Sequence, residues 1–109
     1  MSWDIGIELN GIKFENAEWN YTHNCNPMMR DAGYDWIYHL HGELVADTLP
    51  KFQAMVENLE ANPEKYRAMN PENGWGDYDR LCAKWREEIL PRAKEIAESV
   101  PNATWWEWS

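Results

Sequence analysis

The stretch Trp3-Asp4-Ile5-Gly6-Ile7-Glu8-Leu9-Asn10-Gly11-Ile12-Lys13-Phe14 decides the fold. Trp3, Ile5, Ile7 and Leu9 alternate with Asp4, Gly6 and Glu8, which is the period of a strand with one buried face. Asn10-Gly11 is the strongest short hairpin signal, because both residues tolerate a positive φ. Ile12 and Phe14 resume the alternation, so a second strand starts there. Trp19, Tyr21 and His23 share one face of a further extended stretch, with Asn20, Thr22 and Asn24 on the other. The pattern leaves open whether 12–24 is one bent strand or two short ones.

Beyond this point the period changes. Asn26-Pro27 reads as an N-cap followed by proline at the first helical position, opening a short helix that runs to about Ala32 and ends at Gly33. Residues 34–44 show no clean period. Leu49, Phe52, Met55, Val56 and Leu59 then recur at steps of three and four, predicting a helix from about Val45 to Ala61 with Asp47 or Thr48 as its cap. Asn62-Pro63 interrupts it, and Glu64 to Met69 adds a further turn or two. Residues 70–77 are dense in turn formers, and Asp77 is placed to cap a helix carrying Leu81, Trp85, Ile89, Ile96 and Val100. Pro91 should kink or split that helix near Leu90, since it lacks an N–H and clashes with the preceding turn. Thr104 to Trp108 is a short β-prone segment. The expected fold is α+β, with residues 1–109 forming one domain. Its small antiparallel sheet, the N-terminal hairpin plus the C-terminal strand, is covered by two main helices.

Composition narrows the function classes. With 109 residues, 44% of them hydrophobic and 27% charged, the chain has the make-up of a globular domain able to bury its own core. Eight Trp, five Tyr and two Phe are a heavy aromatic load, and a few such rings supply most of a small core. A formal charge of −9 repels nucleic acid and anionic membrane and favours a basic protein surface. Cys25 and Cys82 are the only cysteines, which suits two reduced thiols better than a disulfide framework. No leader-like segment and no apolar run of membrane-spanning length is readable, so a cytoplasmic setting is expected.

Four constellations could carry chemistry. His23 with Cys25, and His39 with His41, form two i, i+2 pairs of nitrogen and sulfur ligands, but the spacing differs from that of small zinc modules, and no metal or other cofactor is expected. The loop Asn70–Asp77 places Gly74 and Gly76 before a helix, yet it holds Glu72 and Asp77 and no Lys or Arg. Its simplest reading is therefore a cap, with Trp75 plugging the core and Asp77 bonding the first helical N–H groups. Asn20, Thr22 and Asn24 form a polar strand face. Since Asn is poor in strands, that mismatch hints at ligand contact. Trp105, Trp106 and Trp108 cannot all enter one core, because successive strand residues face opposite ways, so at least one of Trp105 and Trp106 is expected on a second buried face, a dimer contact or a partner surface. No Ser–His–Asp arrangement or nucleophile elbow is readable, which favours a binding protein over an enzyme.

The chain resembles small proteins of actinobacteria and their phages for which no activity is established. The opening strand Ser2 to Ile7, the stretch Asn20 to Met28, the helix Leu49 to Glu60, Ala61-Asn62-Pro63-Glu64 and the close Pro101 to Trp106 carry the likeness loosely. Asn70-Pro71-Glu72-Asn73-Gly74-Trp75-Gly76-Asp77-Tyr78 carries it most specifically. Residues 34–44 and the triple-Trp tail depart from it. The resemblance implies a phage or prophage setting. Within that setting the leading expectation is a non-enzymatic accessory protein that binds a host protein through Trp105, Trp106 and Trp108, with a homodimer as a further possibility. The alternative is a small-ligand-binding module that sequesters a nucleotide signal, its pocket built from Asn20, Thr22, Asn24, Asn70, Asn73, Trp75 and Tyr78, with Arg30 or Lys65 needed nearby for a highly charged anion. The two readings divide on whether the polar strand face and the Asn70–Asp77 loop meet in space.

Overall fold

Strands β1 (Ser2–Leu9) and β2 (Ile12–Thr22) form the expected hairpin, and both turn residues are left-handed, Asn10 at φ 51° and Gly11 at φ 82°. The computed structural model describes residues 2–108. The segment left open between one strand and two is a single strand with a bulge. Gly6 pairs with Glu18 and Glu8 with Lys13, so Ile7 alone faces residues 14–17 of β2, and Asn16 takes φ 55°. The odd number of extra residues switches which side chains face inward. Phe14 and then Ala17, Trp19 and Tyr21 turn to one side, while Lys13, Glu18, Asn20 and Thr22 turn to the other. The strand stops at Thr22. His23–Cys25 is a 3-10 turn, so His23 and Asn24 leave the strand pattern.

β3 (Thr104–Trp108) pairs antiparallel with β1, giving the sheet order β2-β1-β3. This is the α+β architecture expected. The featureless segment 34–44 covers the outer edge of β3: Gly42 N–H donates to Trp105 O, Trp105 N–H donates to Glu43 O, and the Glu107 carboxylate accepts from Tyr38 N and Leu40 N at 2.7 and 3.0 Å.

Helices α1 (Asn26–Asp31), α2 (Val45–Ala61) and α3 (Pro63–Arg67) follow the periodicity closely, but their caps differ from expectation. Asn26 is the first helical residue of α1, and its amide donates to His23 Nδ1 at 2.8 Å instead of capping. Neither Asp47 nor Thr48 caps α2. Its first amide, Val45 N, donates to Ala103 O, and Thr48 lies inside the helix, where its Oγ1 accepts the Trp105 indole N–H at 2.7 Å. A buried indole gains from an acceptor, and here the Thr48 hydroxyl serves Trp105 and not a cap. The last helix is not split. α4 (Tyr78–Ala83) and α5 (Leu90–Ser99) are joined by π-helical residues Lys84–Ile89. A widened turn just before Pro91 absorbs the proline without breaking the helix.

The helices cover the sheet face that carries Trp3, Ile5, Ile7, Trp19 and Trp105, all buried. Phe52 of α2 is the hub of this core. Its ring lies 4.8 Å from Tyr34, 5.8 Å from Trp36, 4.6 Å from Trp85 and 5.5 Å from Trp105. Replacing Phe52 by alanine should lower unfolding free energy by about 3–5 kcal/mol in urea titrations, because a cavity opens among four rings. Ile12→Ser on the exposed hairpin tip should stay within about 0.5 kcal/mol of the parent.

Candidate functional site

The end of β2 and the loop 70–77 are brought together by specific bonds. Asp77 caps α4 as expected, its Oδ1 accepting from Arg80 N at 2.8 Å. Asn73 Oδ1 accepts from Trp75 N at 2.9 Å and shapes the loop internally. Two bonds then tie the loop to the strand end. Tyr21 Oη accepts from Asp77 N at 3.1 Å, and Asn24 Nδ2 donates to Trp75 O at 3.2 Å. Gly76 lets the backbones approach. Its φ is +96°, and a Cβ there would collide with the Thr22 methyl and come within 3.1 Å of Cys25 Sγ.

Between these two segments lies a depression of about 840 Å3. Asn20, Thr22 and Asn24 line it from the strand end, and Asn73, Gly74, Trp75 and Gly76 from the loop, with Ser2, Tyr21 and Arg80 completing the rim. The strand face and the loop therefore meet. Two residues expected in the pocket stand outside it. Asn70 turns its Oδ1 to Tyr78 N at 2.8 Å and acts as a second cap of α4. Tyr78 is buried, stacks on Tyr66 and donates its hydroxyl to Leu59 O at 2.6 Å. Trp75 does not plug the core. It is 72% exposed and stands as a wall of the depression.

Much of the rim's hydrogen-bonding capacity is unspent. Asn20 has no side-chain partner among the described residues. Among the described residues Asn24 keeps its amide oxygen free, Asn73 its amide N–H groups, and Thr22 its hydroxyl proton. Arg80 is the one cation on the rim among the described residues, and its Nε sits 3.5 Å from Asp77 Oδ2. Arg30 and Lys65, the cations considered for an anionic ligand, are elsewhere, paired with Asp35 and Asp31. Beneath the rim, burial, and after it the Asp77 carboxylate, push the Cys25 thiol up to about 11. Burial also raises Tyr21 above its ordinary value. Both groups stay protonated at neutral pH and serve as neutral support.

The tail tryptophans divide three ways. Trp105 is fully buried against Phe52 and so belongs to no accessible interaction surface. Trp106 lies flat over Gly6, where a Cβ would strike its ring, with Lys13 Nζ 4.3 Å above the ring centroid. Trp108 is 78% exposed on the same sheet face as Asn20. The histidine–cysteine pairs do not assemble. His23 stacks on Tyr38 and bonds Asn26, His41 Nδ1 accepts from Glu107 N, and no group of three His, Cys, Asp or Glu side chains suited to a metal ion occurs among the described residues. Both cysteines are free thiols. No helix among the described residues is long and apolar enough to cross a membrane. Comparison with protein-family models, curated proteins and solved structures returns no match.

Three rim residues were not readable beforehand. Ser2 is placed by its pairing with Thr22, Tyr21 by the loop that docks on it, and Arg80 by the cap. Adding a methyl group in Gly76→Ala should cost about 1–3 kcal/mol, because the residue is left-handed and its Cβ position is occupied; urea unfolding measures this. The loop should also detach from Tyr21, seen as faster amide exchange at Asp77. A separate expectation concerns alkali. The folded Cys25 holds its proton to about 11, whereas the unfolded thiol releases it near 9.0, so stability is unaffected below pH 9 and falls as pH rises between the two values. Urea unfolding at pH 8 and 10.5 should differ by about 1–2 kcal/mol from this group, and Cys25→Ala should shrink the difference.

Proposed function

We propose that the protein is a small-ligand-binding module whose site is the depression between the end of β2 and the loop 70–77. One observation carries this reading. Two segments some fifty residues apart in sequence, an amide-bearing strand end and a Gly-Trp-Gly loop, line one depression and leave donors, acceptors and an indole face turned into it. Concave sites that combine an apolar wall with a few placed polar groups are the usual form of ligand pockets. The chemistry suits a polar ring compound of low charge, such as a nucleoside. Among the described rim residues a polyphosphate would meet one cation, Arg80, already paired with Asp77, in a chain of formal charge −9. In a phage or prophage setting such a module would act by sequestering a host metabolite. The competing reading, docking on a host protein, keeps the acidic charge and the exposed Trp108, but loses Trp105, which is interior, while Trp106 is laid down over Gly6.

A thermal-shift screen over nucleosides, nucleotides and other polar ring compounds checks the proposal. A binder should raise Tm in proportion to log concentration. Trp75→Ala should weaken it about tenfold or more, the loss expected for one stacking contact. Asn20→Ala should also weaken it while leaving the apo Tm nearly unchanged, because the Asn20 side chain has no hydrogen-bond partner among the described residues. If no compound raises Tm, the module reading fails.

A further inference from the structure

The depression opens onto a sheet face that no helix covers among the described residues. The strand pairings order that face in rows: Thr22 beside Ser2, then Asn20, Asp4 and Trp108, then Glu18, Gly6 and Trp106. Two exposed indoles thus flank a polar floor. Trp75 stands on the loop side, and Trp108 lies on the far strand, roughly 10 Å from Asn20 across two strand spacings. Asp4 lies between them, a carboxylate with no ion pair among the described residues.

We infer, resting on the reading of the depression as a ligand site, that its ligand is a neutral oligosaccharide, with one sugar ring against Trp75 and a later ring against Trp108. Three features point to this class. The floor offers donors and acceptors in mixture, Asn20, Asn73, Thr22 and Asp4, and a sugar hydroxyl both donates and accepts. Asp4 repels phosphate and sulfate yet accepts hydroxyl protons, and the only rim cation among the described residues, Arg80, is paired with Asp77. Both indoles are exposed, and among the described residues no second ring packs against either. A flat base stacks well on both faces, whereas a pyranose has an apolar C–H side for one ring and a polar rim for the floor. Separated platforms on one open surface suit a chain of rings better than a single compact heterocycle.

The test is an NMR titration of 15N-labelled protein, reading the indole N–H signals, with gluco-, manno-, galacto- and N-acetylglucosamine oligomers of one to four rings and with adenosine and AMP. The expected result is that one tetrasaccharide series shifts the Trp75 and Trp108 signals together. Trp108→Ala, which alters an exposed side chain, should weaken the tetrasaccharide about tenfold and the monosaccharide less than about twofold. Trp75→Ala should weaken both. Binding of adenosine or AMP with no saccharide bound overturns the inference and leaves the ligand-site reading standing. Saccharide binding that ignores Trp108 overturns the extended surface. Binding by none of these probes overturns the saccharide inference, and the ligand-site reading then stands or falls by the thermal-shift screen.

Discussion

Everything in this molecule leans on the ring of Phe52. It touches Tyr34 and Trp36 from the edge-covering loop, Trp85 from the π-helical turn and Trp105 from β3, so one side chain of α2 joins the three parts of the chain that packing must reconcile. Trp3 extends the cluster, 5.1 Å from Trp36 and 6.3 Å from Trp85. Such a core has a cost. The indole N–H groups of Trp3, Trp36 and Trp85 are buried with no oxygen or nitrogen partner among the described residues, and a donor left unpaired in a core costs about 1–3 kcal/mol. Edge-to-face packing, at interplanar angles of 78° for Trp3–Trp36 and 75° for Trp36–Trp85, offsets part of it by setting ring edges against π faces. Trp105 solves the problem with a hydroxyl, and in doing so binds β3 to α2 through Thr48.

The cleft inherits its position from that core. Tyr21 packs edge-on against Trp3 on its inner side, and on its outer side its hydroxyl holds Asp77. The same residue therefore transmits the placement of the aromatic cluster to the loop that walls the site. Gly76 makes the contact possible and Cys25 fills the space beneath it, a neutral thiol because burial disfavours the thiolate. Rigid support below and unspent amides above are what a binding site needs: groups held in place by the fold yet not consumed by it.

Charge separates the possible ligands more sharply than shape does. The exposed cations are largely paired off, Arg30 with Asp35, Lys65 with Asp31, Arg67 with Asp79 and Arg86 with Glu60. Exposed pairs of this kind contribute little to stability. They do leave the surface near the cleft without an available positive patch among the described residues, which disfavours anionic ligands.

The local patterns were sufficient for the hairpin, the helix Val45–Ala61, the cap at Asp77 and the final strand, because each rests on a periodicity or a turn chemistry contained within a few residues. The α+β class follows from their order along the chain. The union of the Asn20–Asn24 segment with the loop 73–76 was not readable, since it depends on a bulge at Asn16, a 3-10 turn after Thr22 and a close approach at Gly76, none of which has a local period. For the same reason the sequence places Asn70 and Tyr78 with the pocket while the structure turns them away: nearness in sequence to Asn73 and Trp75 says nothing about which way a cap or a buried phenol turns. Alternation along β3 dictated that Trp105 and Trp106 face opposite ways. Which of them entered the core, and that Trp75 stayed out of it, was decided only when α2 brought Phe52 and Thr48 to one side of the sheet, because burial is a property of what packs against a residue and not of the residue itself.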